Sequence, residues 1–233
     1  MIDFKMLLSA ISLLALGLVL KYFPAIDMYF LRALNSLMSY EVFLSYFTEL
    51  GNGFICLSIV IPLLSFSSNK LSFLNFVKLE VLVISGVFIG CCVSVLKQIT
   101  AFSVRPGFYQ FDEINYLEPV FSYSSFPSGH SATIVGLVLI WLNHAIKNTS
   151  NYSSKILIVS LLLLAILVSL SRVAVGAHWI SDIIGSFGIA LLALEISKHD
   201  LFKKTLKNDI AKYLSYLLVV LSWTYIISQG SIY

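Results

Sequence analysis

Long apolar runs separated by short polar stretches dominate the 233-residue chain. A helix that crosses a bilayer needs about 20 predominantly apolar residues. Seven runs approach this length, each bounded to within about three residues, at 6–23, 52–67, 79–98, 130–147, 155–172, 179–197 and 212–228. The last run is short and aromatic. The pattern therefore predicts an all-α polytopic membrane helix bundle with six core transmembrane helices and possibly a seventh, C-terminal one.

Composition supports a membrane protein. The chain is 58% hydrophobic and 12% charged, with a mean hydropathy of +0.92, whereas soluble domains contain about 25% charged residues. A net charge of +3 is too small to indicate a nucleic-acid partner. The run that begins at Met6 lacks the basic segment and the cleavage site of a signal peptide, which favours an uncleaved first span.

We expect one integral-membrane domain over residues 1–233, because the sequence shows no internal repeat or low-complexity segment. Residues 24–51 mix aromatic and charged side chains, which is typical of a helix lying along the membrane interface. A connecting helix packed on the bundle fits this segment equally well. The three cysteines lie in apolar runs and lack zinc-type spacing, so no metal site is predicted.

Lysines and arginines indicate the orientation of the chain, because they concentrate in cytoplasmic loops. With a cytoplasmic N-terminus, that side receives Lys5, Lys70, Lys78, Lys147, Lys155, Lys198, Lys203, Lys204, Lys207 and Lys212. The other side receives Lys21, Arg32, Lys97, Arg105 and Arg172, of which the last three belong to the candidate site described next. The loops after residues 23, 98 and 172 are therefore predicted to be extracytoplasmic.

Polar fragments recur where successive spans reach that extracytoplasmic side. They are Arg105-Pro106, Pro127-Ser128-Gly129-His130, and Ser171-Arg172 followed by His178 and Asp182, with Lys97 just upstream. Cationic side chains can neutralise the oxygens of a transferring phosphoryl group. The free amides at a helix start, approached closely through Gly129, can bind an oxyanion. A phosphate site at the end of membrane helices predicts a phosphate that is attached to a lipid.

The histidines supply the remaining chemistry of a phosphate-ester site. His178 and Asp182 are four residues apart and share one helix face. The carboxylate can fix the tautomer of the imidazole, which makes its other nitrogen a better nucleophile or base. His130 is then left as the general acid for the leaving group. His144 and His199 fall on the predicted cytoplasmic side, and we assign them no function.

These fragments and their spacing resemble the tripartite signature of the type 2 phosphatidic acid phosphatase superfamily. The signature covers residues 97–182. The resemblance implies a six-helix membrane core, hydrolysis without a metal or cofactor, and a phosphohistidine intermediate. It also implies residue roles: nucleophile His178, its orienting residue Asp182 and general acid His130, with the phosphate held by Lys97, Arg105, Ser128, Gly129 and Arg172.

The implied substrates are lipid phosphates: undecaprenyl pyrophosphate, phosphatidylglycerophosphate, phosphatidic acid or the phosphates of lipid A. The implied location is a bacterial inner membrane, with the site facing the periplasm or the cell exterior. A lipid phosphotransferase, which passes the phosphate to a second lipid, is an alternative, and the oligomeric state stays open. A lipid transporter or flippase would need polar residues at mid-depth, whereas the charges here cluster at helix ends.

Two features depart from the simplest form of this prediction. Seven residues separate Lys97 from Arg105, where the family usually has six. On a continuous helix the extra residue would rotate Arg105 by about 100°, unless the helix breaks after Thr100.

The connection 107–126 holds seven aromatic residues, three acids and no lysine or arginine. It reads either as an aromatic belt at the interface or as a lid that contacts the lipid.

Overall fold

A computed structural model describes residues 3–206 and 208–229, so Lys207 lies outside the described residues. The main helices are α1 Phe4–Leu20, α2 Pro24–Asn35, α3 Glu41–Thr48, α4 Gly53–Lys70, α5 Leu79–Ile99, α6 Gly129–Ala145, α7 Tyr152–Ala174, α8 Ile180–Lys198 and α9 Asp209–Gln229. Within these ranges the chain forms no strand, only an isolated bridge between Leu74 and Ile146. The predicted all-α class is confirmed.

Five of the described helices are long and apolar enough to cross a membrane: α4, α5, α7, α8 and α9. Helix α1 and the helical segment Pro24–Gly51 together meet the same requirement, with a bend of 92° between them, and they make a sixth span if the bent pair crosses as one. Helix α6 has 17 residues and lies inside the bundle. The possible seventh span predicted at 212–228 corresponds to helix α9. This helix buries little of its surface, and its Tyr225 stacks on Phe54 with 4.2 Å between the ring centroids.

Helix α6 forms the centre of the bundle, between α5, α7 and α8. It is apolar all round, which is the pattern of a helix enclosed by others. Leu137, Ile140 and Trp141 are almost completely buried. The indole of Trp141 donates to the carbonyl of Leu64 at 2.7 Å, which satisfies its polar atom inside the core. The bundle therefore holds the N-terminal end of α6, where the Pro-Ser-Gly-His turn begins, in a fixed place.

Helices α1 and α8 pack backbone to backbone through glycines. A Cβ atom on Gly17 would lie 2.8 Å from the carbonyl oxygen of Ser181, and one on Gly188 would lie 2.6 Å from that of Ala10. Small residues allow this approach between membrane helices. The contact brings the C-terminal end of α1 against the first turn of α8, where Asp182 lies.

The connections divide between the two ends of the bundle. At one end, the amide of Asn75 donates to the carbonyl of Ala145 at 2.7 Å. At that same end, Lys147 Nζ donates to the carbonyl of Ser72 at 3.0 Å. The connection 100–128 lies at the opposite end, together with the start of α8. This division separates the predicted cytoplasmic lysine loops from the candidate site.

Residues 24–51 are helical with interruptions by 3₁₀ turns at Ser36–Tyr40 and Glu49–Gly51. The side-chain amide of Asn35 donates to the carbonyls of Asn115 and Ala174, each at 2.7 Å. These bonds tie the segment to the 107–126 connection and to the end of α7. Tyr29 and Tyr46 remain exposed on the outer side. The interfacial position of this segment stays a prediction.

Candidate active site

The end of α5 shows how the extra residue before Arg105 is accommodated. The helix ends at Ile99, and Thr100 caps it in a non-helical conformation. The Thr100 hydroxyl donates to the carbonyl of Phe126 at 2.7 Å, which fixes the break. Lys97, in the last turn, is partly buried and within electrostatic range of Arg105, Arg172 and Asp182. The break after Thr100 therefore lets Lys97 and Arg105 reach one site despite the changed spacing.

Arg105 is held by backbone carbonyls. Its Nε donates to Tyr123 at 3.0 Å and its terminal nitrogens donate to Ala177 at 3.3 Å and Ser124 at 3.4 Å. The ring of Phe121 lies 5.3 Å from the guanidinium carbon. Burial, with the nearby charge of Arg172, lowers the pKa of Arg105 to about 10, so the side chain stays charged at neutral pH. The second half of the 107–126 connection thus forms a wall of the site.

Arg172 lies in the last turn of α7 and is 7% exposed. One terminal nitrogen donates to Thr48 Oγ1 at 2.9 Å and lies 3.9 Å from Glu49 Oε1. Its Nε is buried and has no hydrogen-bond partner within residues 3–206 and 208–229. A buried donor without an acceptor is costly. A phosphate oxygen bound beside Arg172 could accept a hydrogen bond from this Nε.

The Pro-Ser-Gly-His turn starts α6. The Ser128 hydroxyl caps the helix, 3.5 Å from the Ser131 amide. The Ser128 amide donates to the backbone carbonyl of Asp182 at 3.4 Å. The Ser128 carbonyl accepts from Ser186 Oγ at 2.9 Å. Ser128 is thus engaged in fixing the turn against α8. The amides that could bind an oxyanion at this helix start are therefore those of Gly129 and His130. A contact of Ser128 with phosphate stays a prediction.

His178 lies in the short connection between α7 and α8. Gly176, with φ +71°, makes the turn that leads to it. His178 Nδ1 is 3.2 Å from Asp182 Oδ2. Because an ionised carboxylate only accepts hydrogen bonds, Nδ1 carries the hydrogen and Nε2 the lone pair. Burial and the charge of Arg105 hold the pKa of His178 well below its usual range, so the ring is neutral at neutral pH. The predicted pairing of these two residues is present.

Asp182 has further partners that the sequence analysis missed. Its Oδ2 accepts from Ser125 Oγ at 2.5 Å and from the Trp179 amide at 2.9 Å. Its Oδ1 lies 2.5 Å from Lys21 Nζ. Lys21, which was predicted to lie outside the site, therefore contacts Asp182 within it. The tight packing of α1 on α8, which no local motif reveals, is the reason.

Glu49 is a second acid in the site. Its Oε1 lies 3.3 Å from His130 Nε2, and its Oε2 accepts from Asn52 Nδ2 at 2.6 Å. Glu49 is 6% exposed. The sequence signal was an acid at the end of the aromatic segment 24–51, immediately before a span and on the predicted side of the site. Each of the two histidines thus has a carboxylate partner.

The structure brings all eight predicted site residues to one end of the bundle. His144 and His199 lie at the other ends of α6 and α8. The fold and this cluster define a polytopic helical membrane protein with a buried, cationic, histidine-containing centre suited to an oxyanion. A family model described as the PAP2 superfamily matches residues 78–206. The chain belongs to this superfamily, as the resemblance of its motifs predicts.

Two solved structures share the fold. A crystal structure described as the first transmembrane PAP2 type phosphatidylglycerolphosphate phosphatase from Bacillus subtilis is 22% identical, with a TM-score of 0.65 over 87% of this chain and 98% of that one. The crystal structure of Aquifex aeolicus LpxE is 24% identical, with a TM-score of 0.54 over 73% of this chain and 93% of that one. No curated protein sequence matches the chain significantly.

Proposed function

We propose that this protein is a membrane phosphatase that hydrolyses a phosphate monoester or pyrophosphate of a lipid through a phosphohistidine intermediate. The observation that carries this proposal is the buried pair of His178 and Asp182, at the same end of the bundle as the buried arginines Arg105 and Arg172. Candidate substrates are phosphatidylglycerophosphate, phosphatidic acid, undecaprenyl pyrophosphate and the phosphates of lipid A. Membership of the PAP2 superfamily supports this class of reaction.

In the first step, the lone pair on His178 Nε2 attacks phosphorus while the bond to the leaving oxygen breaks. Lys97, Arg105 and Arg172 neutralise the charge on the non-bridging oxygens. His130 gives its proton to the leaving oxygen, which departs as the lipid alcohol or the lipid phosphate. Asp182 accepts from His178 Nδ1 and stabilises the positive charge that the ring acquires.

In the second step, water attacks the phosphorus of the phosphohistidine. His130, now neutral, accepts a proton from this water, and the phosphorus–nitrogen bond breaks. Inorganic phosphate leaves, and both histidines return to their starting protonation states. The Glu49 carboxylate, 3.3 Å from His130 Nε2, favours the protonated imidazole that the first step needs, against the burial of the ring and the charge of Arg172, which favour the neutral form. No step is routed through a metal ion, since Lys97, Arg105 and Arg172 supply the positive charge that the phosphoryl oxygens need.

An apolar groove supports a lipid as the substrate. It has a volume of about 510 Å³ and lies between α4, α5 and α9, with His130 among its lining residues. Gly86 and Gly90 open one wall, and Tyr225 of α9 lines another. A hydrocarbon chain in this groove would place the leaving oxygen near the general acid. The groove therefore fits the lipid part of the leaving group.

We also propose that the site faces away from the cytoplasm. The predicted cytoplasmic lysines that the structure describes lie at the end of the bundle opposite the site. Five cations were predicted for the same side of the membrane as the site. Because Lys21 contacts Asp182, Arg32 is the one of these five that lies outside the site. Its partner is Glu113, at 2.8 Å on the exposed surface.

The proposed function predicts phosphate release by purified protein in detergent from at least one member of a panel of these lipid phosphates. Turnover should be the same with EDTA as with added magnesium, because the catalytic charges are side chains. Within residues 3–206 and 208–229, no three His, Cys, Asp or Glu residues form a metal-binding group. Activity that disappears in EDTA and returns with magnesium would contradict the mechanism, and inactivity against the whole panel would contradict the function.

The groove predicts a dependence on chain length in the Gly90→Phe variant. A Cβ at position 90 meets no atom within 4 Å, so a phenyl ring has room to enter the groove. Loss of contact with two methylene groups costs about 1.6 kcal/mol, so KM for a long-chain lipid phosphate should rise about 15-fold. KM for a water-soluble short-chain phosphate should not change. Val95→Phe is the matched control on the same helix, since Val95 is exposed and outside the groove.

A further inference from the structure

The two carboxylate oxygens of Asp182 have different partners. Oδ2 accepts from His178, Ser125 and the Trp179 amide, whereas Oδ1 lies 2.5 Å from the ammonium of Lys21. The Asp182 side chain is fully buried, and that of Lys21 is 20% exposed. Lys21 therefore supplies a counter-charge to the carboxylate that orients the proposed nucleophile. It lies outside the 78–206 range of the family match and outside the signature.

Lys21 is held in place by the way α1 ends. It caps the C-terminal end of α1, directly after the glycine contact between Gly17 and α8. Asp27, at the start of α2, fixes the same corner, because its carboxylate accepts from the Ser181 amide at 3.0 Å and the Ser181 hydroxyl at 2.7 Å. The junction of α1 and α2 thus contacts two neighbouring residues of α8: Asp27 binds Ser181, and Lys21 contacts Asp182.

We propose that Lys21 is a positioning residue for the His178–Asp182 pair. A buried carboxylate with no counter-ion tends to take up a proton or to turn towards other donors. The Lys21 ammonium holds Oδ1, and this leaves Oδ2 ionised and directed at His178 Nδ1. His178 then keeps the tautomer that presents its Nε2 lone pair to phosphorus. The proposal rests on the proposed function, because it concerns the same nucleophile.

A direct contact between Lys21 and the substrate phosphate makes different predictions. Positioning acts on the chemical step and requires Asp182, so it lowers kcat with little change in KM. Contact with phosphate in the bound substrate would raise KM and would not require Asp182. The test is a double-mutant cycle between Lys21→Met and Asp182→Asn, with kcat and KM measured on one lipid phosphate.

We expect Lys21→Met to lower kcat about 10- to 100-fold, with KM within about twofold, by analogy with the loss that follows when the outer hydrogen-bond partner of a metal-binding histidine is removed. Lys21→Arg should recover most of this loss. In the Asp182→Asn background, Lys21→Met should change kcat by less than about twofold, because a neutral amide needs no counter-ion. The double variant also contains no uncompensated buried charge, so it stays informative if Lys21→Met alone folds poorly.

Arg32→Gln is the matched control, since Arg32 is an exposed cation near the same end of the chain and pairs with Glu113. Its kcat should equal that of the unmodified protein. A wild-type kcat in Lys21→Met, or an equal loss in both backgrounds, would overturn the positioning role. A rise in KM alone would assign Lys21 to phosphate binding instead. If the unmodified protein releases no phosphate from any lipid, the proposed function is wrong, and the role of Lys21 that rests on it is wrong as well.

Discussion

Replacement of His178 by alanine is expected to reduce phosphate release by more than about 10⁴-fold, to background. His178 is buried and carries the one imidazole nitrogen that the contact with Asp182 leaves free to attack. Without this nitrogen no bond from protein to phosphorus forms. The measurement is turnover of a lipid phosphate, together with acid-quench trapping of radiolabelled phosphate on the protein.

The His178 experiment has a matched control in His199→Ala, an exposed histidine just after α8 at the opposite end of that helix. This variant should keep both turnover and the trapped phosphoprotein. Near-normal turnover in His178→Ala would refute the assigned nucleophile. A trapped phosphoprotein in His178→Ala would show that another residue carries the phosphate.

Replacement of His130 by alanine is expected to lower turnover roughly 10²–10⁴-fold on a lipid phosphate monoester, the usual contribution of a general acid. The alkoxide leaving group of a monoester needs a proton in the transition state. A pyrophosphate leaves as a stabilised phosphate anion, so its loss should be clearly smaller. The comparison of a monoester and a pyrophosphate in the same variant therefore tests the role of His130 and not only its importance.

His144→Ala is the control for His130, because both histidines lie on α6, in its first and last turns. It should leave turnover of both substrates unchanged. Glu49→Gln, which changes the partner of His130 Nε2, should show the same leaving-group dependence as His130→Ala with a smaller loss. Equal losses on both substrates in His130→Ala would contradict proton donation to the leaving group.

The sequence alone determined the helices, and it predicted the residues that the structure brings together at one end of the bundle. Each predicted span ends within about three residues of an observed helix end, since apolar length is a local property that the bilayer requires. His178 and Asp182 could be paired because their spacing of four fixes a shared helix face. The three motifs could be assigned to one end of the bundle because alternating spans return each second loop to the same side.

Only the tertiary structure decided how these residues are supported. Lys21 meets Asp182 because α1 and α8 approach through glycine, and Glu49 meets His130 because residues 24–51 fold back over the start of α6. Both contacts join positions more than 80 apart in sequence, and neither has a spacing that a helix or a motif imposes. The break after Thr100 likewise depends on a hydrogen bond to Phe126. Periodicity determines which face a residue occupies, whereas contacts between distant helices depend on how the side chains of the whole bundle pack.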